Sequence, residues 1–205
     1  PSRFFSMKLI HYPLLACLLL VCAQAVSAEE SPVVPPPPKI DAKGYLLTDF
    51  ATGSVLAAAN ADERLEPASL TKIMTAYVIY RALAEGRVKL TDEVLIRENA
   101  WRTGGSKMFV EVGKRVGMED LLKGMIIQSG NDASVALAEH VAGSEQTFAE
   151  LMNAHAKRLG MNNSHFTNAT GLPDPDHYTT ARDMAAVTAA LILEFPDYYV
   201  WDGTK

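Results

Sequence analysis

Ser69 and Lys72 have the residue types and the spacing that could carry out acyl transfer. They lie three residues apart in the stretch PASLTK, residues 67–72. In a helix from about residue 69 to residue 85, residues three apart share a face, so the hydroxyl and the ammonium become neighbours. A serine attacks a carbonyl only when a base takes its proton, and a lysine is such a base only when burial or nearby positive charge lowers its pKa. The spacing therefore predicts a nucleophile and a candidate base, although by itself this pattern is more often a helix cap followed by a surface lysine.

A second group of polar residues, Ser129-Gly130-Asn131, follows sixty residues after Ser69. Serine, glycine and asparagine are common turn residues, so the tripeptide alone indicates a link between two helices. Turns held by a rigid scaffold also carry functional residues. Together with Ser69 and Lys72, this turn offers a second hydroxyl to relay a proton and an amide to hold a substrate amide.

The elements that must position these groups follow from the apolar pattern. From Leu70 to Leu83 apolar residues surround most of the helical circumference, which predicts a buried helix with a sheet on one side and other helices on the other. A lysine on such a helix must be paired or electrostatically tuned. Before it, two apolar runs at 44–50 and 54–59 flank a glycine-containing turn and predict an antiparallel hairpin.

The rest of the chain is predicted to contain few strands and many helices. We expect a short strand at 94–96, an irregular segment at 101–116 and helices at 119–127, 133–141 and 144–160. Thr180 and Asp183 are spaced for a capping box at the start of a last helix through Leu193.

The first 28 residues have the pattern of a secretory signal peptide. A basic residue follows Met7, an apolar run covers 14–21, and small residues precede the acidic pair at 29–30, while residues 1–6 stand upstream of that methionine. Both cysteines lie in this leader, so the exported chain is expected to have no disulfide. Residues 29–40 form a proline-rich linker. We assign residues 41–205 to the folded domain.

Composition and motif content argue against several classes of function. The formal net charge is −5, whereas nucleic-acid binding requires clustered Lys and Arg. The five histidines show no His-Glu-x-x-His pattern, and no glycine-rich phosphate loop follows a predicted strand. We therefore expect no nucleic-acid partner, no metal and no cofactor.

Three stretches together resemble the serine-type D-alanyl-D-alanine carboxypeptidases, the low-molecular-mass penicillin-binding proteins. They are PASLTK at 67–72, QSGNDA at 128–133 and YTTARDM at 178–184, and the similarity extends over nearly all of residues 40–200. The resemblance implies an α/β (α+β) two-lobed fold, the penicillin-recognising serine transpeptidase or β-lactamase-like fold, in which an antiparallel sheet packs with a helical cluster. In this chain that fold is expected to be incomplete at the C-terminus.

The resemblance also implies roles for the candidate residues. Ser69 would attack the carbonyl between the two terminal D-alanines of a peptidoglycan stem pentapeptide, and β-lactam antibiotics would acylate the same hydroxyl as inhibitors. Lys72 would be the general base, Ser129 would relay a proton to the leaving amine, and Asn131 would bind the substrate amide. The backbone N–H of Ser69 would be one oxyanion donor. The second donor comes, in the family, from a strand that we do not find in this sequence.

The main departure from the family pattern is the absence of a Lys-Thr-Gly tripeptide. The nearest matches, at residues 102–104 and 203–205, are in the wrong order or reversed. Family members continue through the rest of the sheet, a small β-rich domain and a C-terminal amphipathic membrane anchor. We therefore expect this chain to be an N-terminal fragment or an incomplete reading frame. Its full-length form is expected in the periplasm or cell envelope, peripherally attached to the inner membrane.

Three alternatives remain open at this point. A serine β-lactamase shares the Ser-x-x-Lys pair, but class A members usually show Ser-Asp-Asn and Glu-x-x-Leu-Asn, whereas this chain has Ser129-Gly130-Asn131 and only ELMN at residues 150–153. A related murein endopeptidase would cut cross-links rather than free stems. A catalytically inactive, truncated envelope protein is the non-enzymatic alternative.

Overall fold

Helices dominate the part of the chain that the structure describes. The structure is a computed structural model that describes residues 36–204, and from Lys39 onward these residues form one unit. Four strands occur in this part: β1 (Tyr45–Thr48), β2 (Val55–Ala59), β3 (Glu93–Leu95) and β4 (Arg115–Gly117). Seven α-helices occur with them: α1 (Thr71–Ala84), α2 (Glu98–Arg102), α3 (Met118–Gln128), α4 (Asn131–Ala142), α5 (Glu145–Arg158), α6 (Ala181–Glu194) and α7 (Pro196–Tyr199). Two 3-10 turns, Ala68–Leu70 and Val200–Gly203, complete the regular elements of these residues.

The predicted buried helix is α1, and its burial is confirmed. Met74, Val78, Ile79 and Tyr80 are fully buried, and each large apolar side chain taken out of water stabilises the fold by about 1.5–3 kcal/mol. The neighbours of α1 differ from the expectation. It packs mainly against helices α3, α4, α5 and α6, whereas strand β1 packs on α6. The expectation of a sheet on one side of α1 is therefore wrong. In residues 36–204, α6 lies against α1, and strand β1 packs on α6 instead.

The predicted hairpin is present, but it does not extend into a larger sheet within residues 36–204. Strands β1 and β2 pair in antiparallel register, with Tyr45 opposite Ala59. The carboxylate of Asp49 closes the turn by accepting the N–H of Thr52 at 2.8 Å. Strands β3 and β4 form a separate antiparallel pair. The segment 101–116, expected to be irregular, begins within α2 and ends within β4.

The predicted helices are present, with small changes at their starts. Asn131 is the first residue of α4 and not a turn residue, since Gly130 is the cap before it. At the start of α6 the hydroxyl of Thr180 accepts the N–H of Asp183 at 3.0 Å, as a capping box requires. The reciprocal bond is absent among the described residues. The Asp183 carboxylate instead accepts the backbone N–H of Asn163 and the hydroxyl of Ser164.

A closed loop, residues 165–178, lies between α5 and α6 and contacts the start of α1. His165 and Tyr178 exchange two backbone hydrogen bonds, of 2.8 and 3.0 Å, which close its ends. The next residue, Thr179, exchanges a similar pair with Leu65. These bonds tie the 165–178 loop to the segment that leads into the Ser69 turn.

Some sequence predictions fall outside the described residues. The predicted signal peptide at 1–28 and most of the predicted linker at 29–40 belong to this group; residues 36–40 are exposed and contain no helix or strand. Those boundaries stay predictions. Across residues 36–204, no helix combines the length and apolar character needed to cross a bilayer.

Candidate active site

Ser69 lies on a 3-10 turn directly before α1, not within the helix as predicted. The turn spans Ala68–Leu70, and the Ser69 side chain is exposed. Ala68 has φ +47°, a left-handed conformation that costs a non-glycine residue about 1–2 kcal/mol. Gly171 of the 165–178 loop packs so closely that a Cβ there would overlap the Ala68 carbonyl oxygen. Packing from the loop thus holds a strained turn that presents the hydroxyl.

Lys72 is buried one turn after Ser69 and contacts three oxygen atoms. Its Nζ lies 3.4 Å from the Ser69 Oγ, 2.7 Å from the Asn131 Oδ1 and 2.9 Å from the Thr170 carbonyl oxygen. The predicted neighbour relationship between the hydroxyl and the amine is therefore present. The Ser69 contact is the longest of the three, and such contacts are often long before substrate binds.

The two shorter contacts determine which way a neutral Lys72 amine points. The Asn131 Nδ2 donates to the Gly104 carbonyl at 2.8 Å, and a carbonyl can only accept, so the Asn131 oxygen must face Lys72. The Thr170 carbonyl likewise only accepts. A neutral amine has two N–H groups, and when it donates both to these acceptors its lone pair is directed toward the Ser69 hydroxyl. This is the arrangement that a proton acceptor needs.

Burial favours that neutral form. It lowers the pKa of Lys72 from its ordinary value of 10.5 to about 8. The folded state binds the Lys72 proton more weakly than the unfolded state does. The contribution of Lys72 to the free energy of unfolding is therefore fully present above pH 10.5 and is lost as the pH falls through about 8. The loss is about 3 kcal/mol at neutral pH. The chain tolerates this cost at the place where a base is needed.

Ser129 supplies a second hydroxyl next to the first. It ends α3 in a left-handed conformation with φ +56°, and its Oγ lies 3.1 Å from the Ser69 Oγ. No direct hydrogen bond joins Ser129 to Lys72 in the described chain; the Ser69 oxygen connects them. The three groups predicted from the two motifs therefore form one cluster.

Asn131 is brought to the same cluster, but its amide is largely occupied. It is 6% exposed, and its oxygen and nitrogen bind Lys72 and Gly104. Its backbone N–H also donates to the Ser106 carbonyl at 2.8 Å. One N–H of the side chain remains for a substrate. The contacts give Asn131 a clear part in orienting Lys72, while its substrate-binding role stays a prediction.

The Ser69 turn also offers a backbone donor beside a small cleft. Within residues 36–204 no acceptor takes the backbone N–H of Ser69. The adjoining cavity has a volume of about 120 Å³. Its walls include Ser69, Lys72, Ile73, Met125, Ser129 and Asp202. A carbonyl group placed here would meet the Ser69 hydroxyl and the Lys72 amine together.

Comparison with known proteins identifies the family. The family model described as D-alanyl-D-alanine carboxypeptidase, Peptidase S11, matches residues 30–205. The chain belongs to this S11 family. Among curated relatives of this S11 chain, the Escherichia coli K12 D-alanyl-D-alanine carboxypeptidase DacC is 48% identical over 190 residues. The match covers 90% of the chain and 47% of that protein. The Haemophilus influenzae carboxypeptidase DacA is 44% identical, with 90% and 48% covered.

Solved structures agree with the predicted fold class. The D-alanyl-D-alanine carboxypeptidase DacD of Francisella tularensis has a TM-score of 0.82 and 42% identity, over 87% of this chain and 43% of that one. Penicillin-binding protein 5 of Haemophilus influenzae has a TM-score of 0.79 and 44% identity, over 82% and 50%. The α/β penicillin-recognising fold is therefore confirmed. The S11 chain spans about half the length of the curated relatives it matches.

Several residues that shape this S11 site were missed by the sequence analysis. Thr170 and Gly104 act through backbone carbonyls, which leave no side-chain signature. Asp132 is almost fully buried and accepts the backbone N–H groups of three successive residues, 108–110, at 2.8, 2.8 and 3.2 Å. It fixes the loop that carries the Gly104 carbonyl. Its position directly after Asn131 was the only signal that could have indicated it.

Proposed function

We propose that this protein is a serine D-alanyl-D-alanine carboxypeptidase that removes the terminal D-alanine from peptidoglycan stem pentapeptides. The observation that carries the proposal is the orientation of Lys72 between two fixed acceptors, with Ser69 as its third neighbour. Its family membership supplies the class of substrate. A hydroxyl next to a lysine of lowered pKa is the arrangement that acyl transfer requires.

The proposed reaction has two halves. In the first, Lys72 takes the Ser69 proton, the oxygen attacks the carbonyl between the two D-alanines, and the backbone N–H of Ser69 stabilises the oxyanion. The C–N bond then breaks, and D-alanine leaves after its amine gains a proton through Ser129. In the second, water hydrolyses the ester on Ser69 and the peptide is released. The second oxyanion donor has no candidate among the described residues.

Release of D-alanine from a synthetic stem pentapeptide tests the proposal directly. The complete gene product should release one D-alanine per peptide, and Ser69→Ala should release none. A pentapeptide ending in L-alanine serves as the substrate control. Equal release from the L-alanine peptide would contradict specificity for D-alanyl-D-alanine, and undiminished release by Ser69→Ala would contradict the assignment of Ser69 as the nucleophile.

A related endopeptidase is a second candidate that one observation favours. The D-alanyl-D-alanine endopeptidase of Pseudomonas aeruginosa is 34% identical over 192 residues, whereas the Escherichia coli carboxypeptidases DacC and DacD are 48% and 40% identical. A cross-linked muropeptide dimer assayed beside the pentapeptide separates the two activities. We expect faster turnover of the pentapeptide.

β-Lactams should act as acylating inhibitors in this proposal. The Ser69 hydroxyl would open the lactam ring, and the resulting ester should be hydrolysed slowly. Rapid turnover of the β-lactam would instead indicate a β-lactamase. No labelling of the folded gene product by a fluorescent penicillin would support the inactive envelope protein.

The proposed reaction requires the protein to reach peptidoglycan. We propose export through the signal sequence at residues 1–28, followed by peripheral attachment to the inner membrane in the full-length form. Cell fractionation, with deletion of residues 8–28 as control, tests this. Recovery of the intact chain in the cytoplasmic fraction would contradict export.

A further inference from the structure

His177 is a buried histidine behind the Ser69 turn that the proposed reaction does not use. It is 3% exposed and lies near the end of the 165–178 loop. Its Nε2 lies 2.8 Å from the Thr71 Oγ1, and its Nδ1 lies 3.1 Å from the backbone N of Thr167. Phe166 packs edge-on against its ring. The imidazole therefore bridges the loop and the first residue of α1.

These two contacts determine the proton on the ring. The Thr167 backbone N–H can only donate, so Nδ1 must present its lone pair. Nε2 then carries the proton and donates it to the Thr71 hydroxyl. Nδ1 also lies 3.2 Å from the Thr167 hydroxyl, which can donate to it or accept from it. Only neutral imidazole accepts the Thr167 backbone N–H, whereas a protonated ring would set an N–H of Nδ1 against that N–H and keep only the hydroxyl as an acceptor.

Thr71 connects His177 to the reacting groups. It is fully buried and stands directly between Leu70 of the 3-10 turn and Lys72. The same loop gives Lys72 its carbonyl acceptor at Thr170 and supports Ala68 through Gly171. Among the described residues, His177 is the loop side chain that hydrogen-bonds α1, beside these contacts of the loop backbone.

We propose that His177 is a positioning residue whose neutral imidazole holds Thr71, and through it the Ser69 and Lys72 side chains, in the geometry required for acylation. Protonation of His177 breaks its bond to the backbone N–H of Thr167 and loosens the turn. This inference rests on the proposed function, because acylation of Ser69 is the event that it modulates.

The surroundings of His177 favour its neutral form at physiological pH. Burial lowers its pKa below the ordinary value of 6.5; Asp174 on the same loop acts in the opposite direction, and His165 adds to the lowering. From the segment before the turn, Glu66 lines the same small cavity as His177. From α1, Lys72 reaches the loop at the Thr170 carbonyl. The switch to the charged ring is therefore expected below pH 6.5.

Glutamine is the matched replacement. Its amide oxygen can accept the N–H of Thr167, its amide nitrogen can donate to Thr71, and it does not titrate. His177→Ala removes both bonds. The experiment measures the rate constant of acylation by a fluorescent penicillin, separated from the binding constant, for wild type, His177→Gln and His177→Ala in the complete gene product.

The expected results separate positioning from a general structural role. At pH 7, His177→Ala should acylate about tenfold to a hundredfold more slowly with little change in binding, as for a misplaced reacting group. His177→Gln should stay within about threefold of wild type. Below the pKa of His177, the wild-type rate should fall by up to a further tenfold to a hundredfold, in addition to the slope of one per pH unit that protonation of Lys72 gives to the logarithm of the rate. His177→Gln should fall with a slope of one.

Three outcomes would overturn the inference. The first is an unchanged acylation rate in His177→Ala, and the second is the same additional fall at low pH in His177→Gln as in wild type. If His177→Ala fails to fold, the comparison of the wild-type and His177→Gln pH profiles still decides. The third is a folded wild type that is not labelled at any pH, which overturns the proposed function and this inference with it. A labelled wild type with an unaffected His177→Ala overturns this inference alone.

Discussion

The side-chain oxygens of Ser69 and Ser129 lie 3.1 Å apart, although sixty residues separate them in the chain. The end of α3 brings Ser129 to the turn before α1, and no other side-chain hydrogen bond of Ser129 occurs in residues 36–204. We predict that Ser129→Ala slows both acylation by penicillin and D-alanine release by about 10²–10⁴-fold, the usual range for a lost proton-transfer group. Stopped-flow acylation measures the effect.

Ser134 offers the control for this variant. Its hydroxyl donates to the carbonyl of Gly130, the cap residue of α4, and makes no hydrogen bond with Ser69. Ser134→Ala should therefore acylate at nearly the wild-type rate. Equal effects of the two substitutions would show that Ser129 acts only through packing.

The lowered pKa of Lys72 predicts a pH profile. Acylation should rise with pH through an apparent pKa of about 8, because only the neutral amine accepts the Ser69 proton. Lys72→Met should lose acylation at every pH. Lys123→Met, which removes a surface lysine paired with Glu119, should leave the midpoint in place. A rate that is independent of pH between 7 and 9 would argue against Lys72 as the base.

The contact between Asn131 and Lys72 predicts the direction of a shift in that profile. Asn131→Asp places a carboxylate about where the amide oxygen lies, 2.7 Å from Nζ, and stabilises the ammonium. The midpoint should move to higher pH by about 1–3 units. Asn60→Asp adds the same charge at the exposed residue directly after strand β2 and should not move the midpoint. A midpoint lowered by Asn131→Asp would contradict the assigned contact.

Gly171 predicts a difference between two chemically identical substitutions. Gly171 has φ +84° and abuts the Ala68 carbonyl, whereas Gly143 has φ +83° with no atom near its missing Cβ. Gly143→Ala should lower the free energy of unfolding by about 1 kcal/mol, the cost of the left-handed conformation. Gly171→Ala should lower it by roughly 3 kcal/mol, since the overlap adds to that cost, and should also slow acylation. Chemical denaturation measures the free energy of unfolding of both variants. Equal losses would contradict the close contact between Gly171 and the Ala68 carbonyl.

Local patterns were sufficient for much of the fold. The apolar residues around α1 predicted its burial, and the glycine turn between two apolar runs predicted the hairpin. The Thr180 cap also formed as expected. The partners of α1 could not be predicted, because periodicity says that a helix is buried but not which element covers it. The contacts of the Asp183 side chain with residues 163–164 could not be predicted either, because contacts between distant parts of the chain leave no local sequence pattern.

The sequence predicted the side chains of the site that belong to motifs, but not the backbone groups that contact them. Ser69, Lys72, Ser129 and Asn131 came from two short motifs, and the structure brings all four together. The acceptors that orient Lys72 were not predicted, because Thr170 and Gly104 contribute backbone oxygens that any residue type could supply. His177 lies in a stretch rich in proline and aspartate, a composition typical of a surface loop. Its burial depends on the closure of that loop by tertiary hydrogen bonds.

The most direct test of this account is to locate the covalent adduct that a penicillin forms on the complete gene product. Mass spectrometry of the intact protein and of its peptides should show one added penicilloyl group, on the peptide that contains Ser69. The adduct should be absent in Ser69→Ala. A folded protein that forms no adduct, or one whose adduct lies on Ser129 or elsewhere and persists in Ser69→Ala, would contradict the central claim.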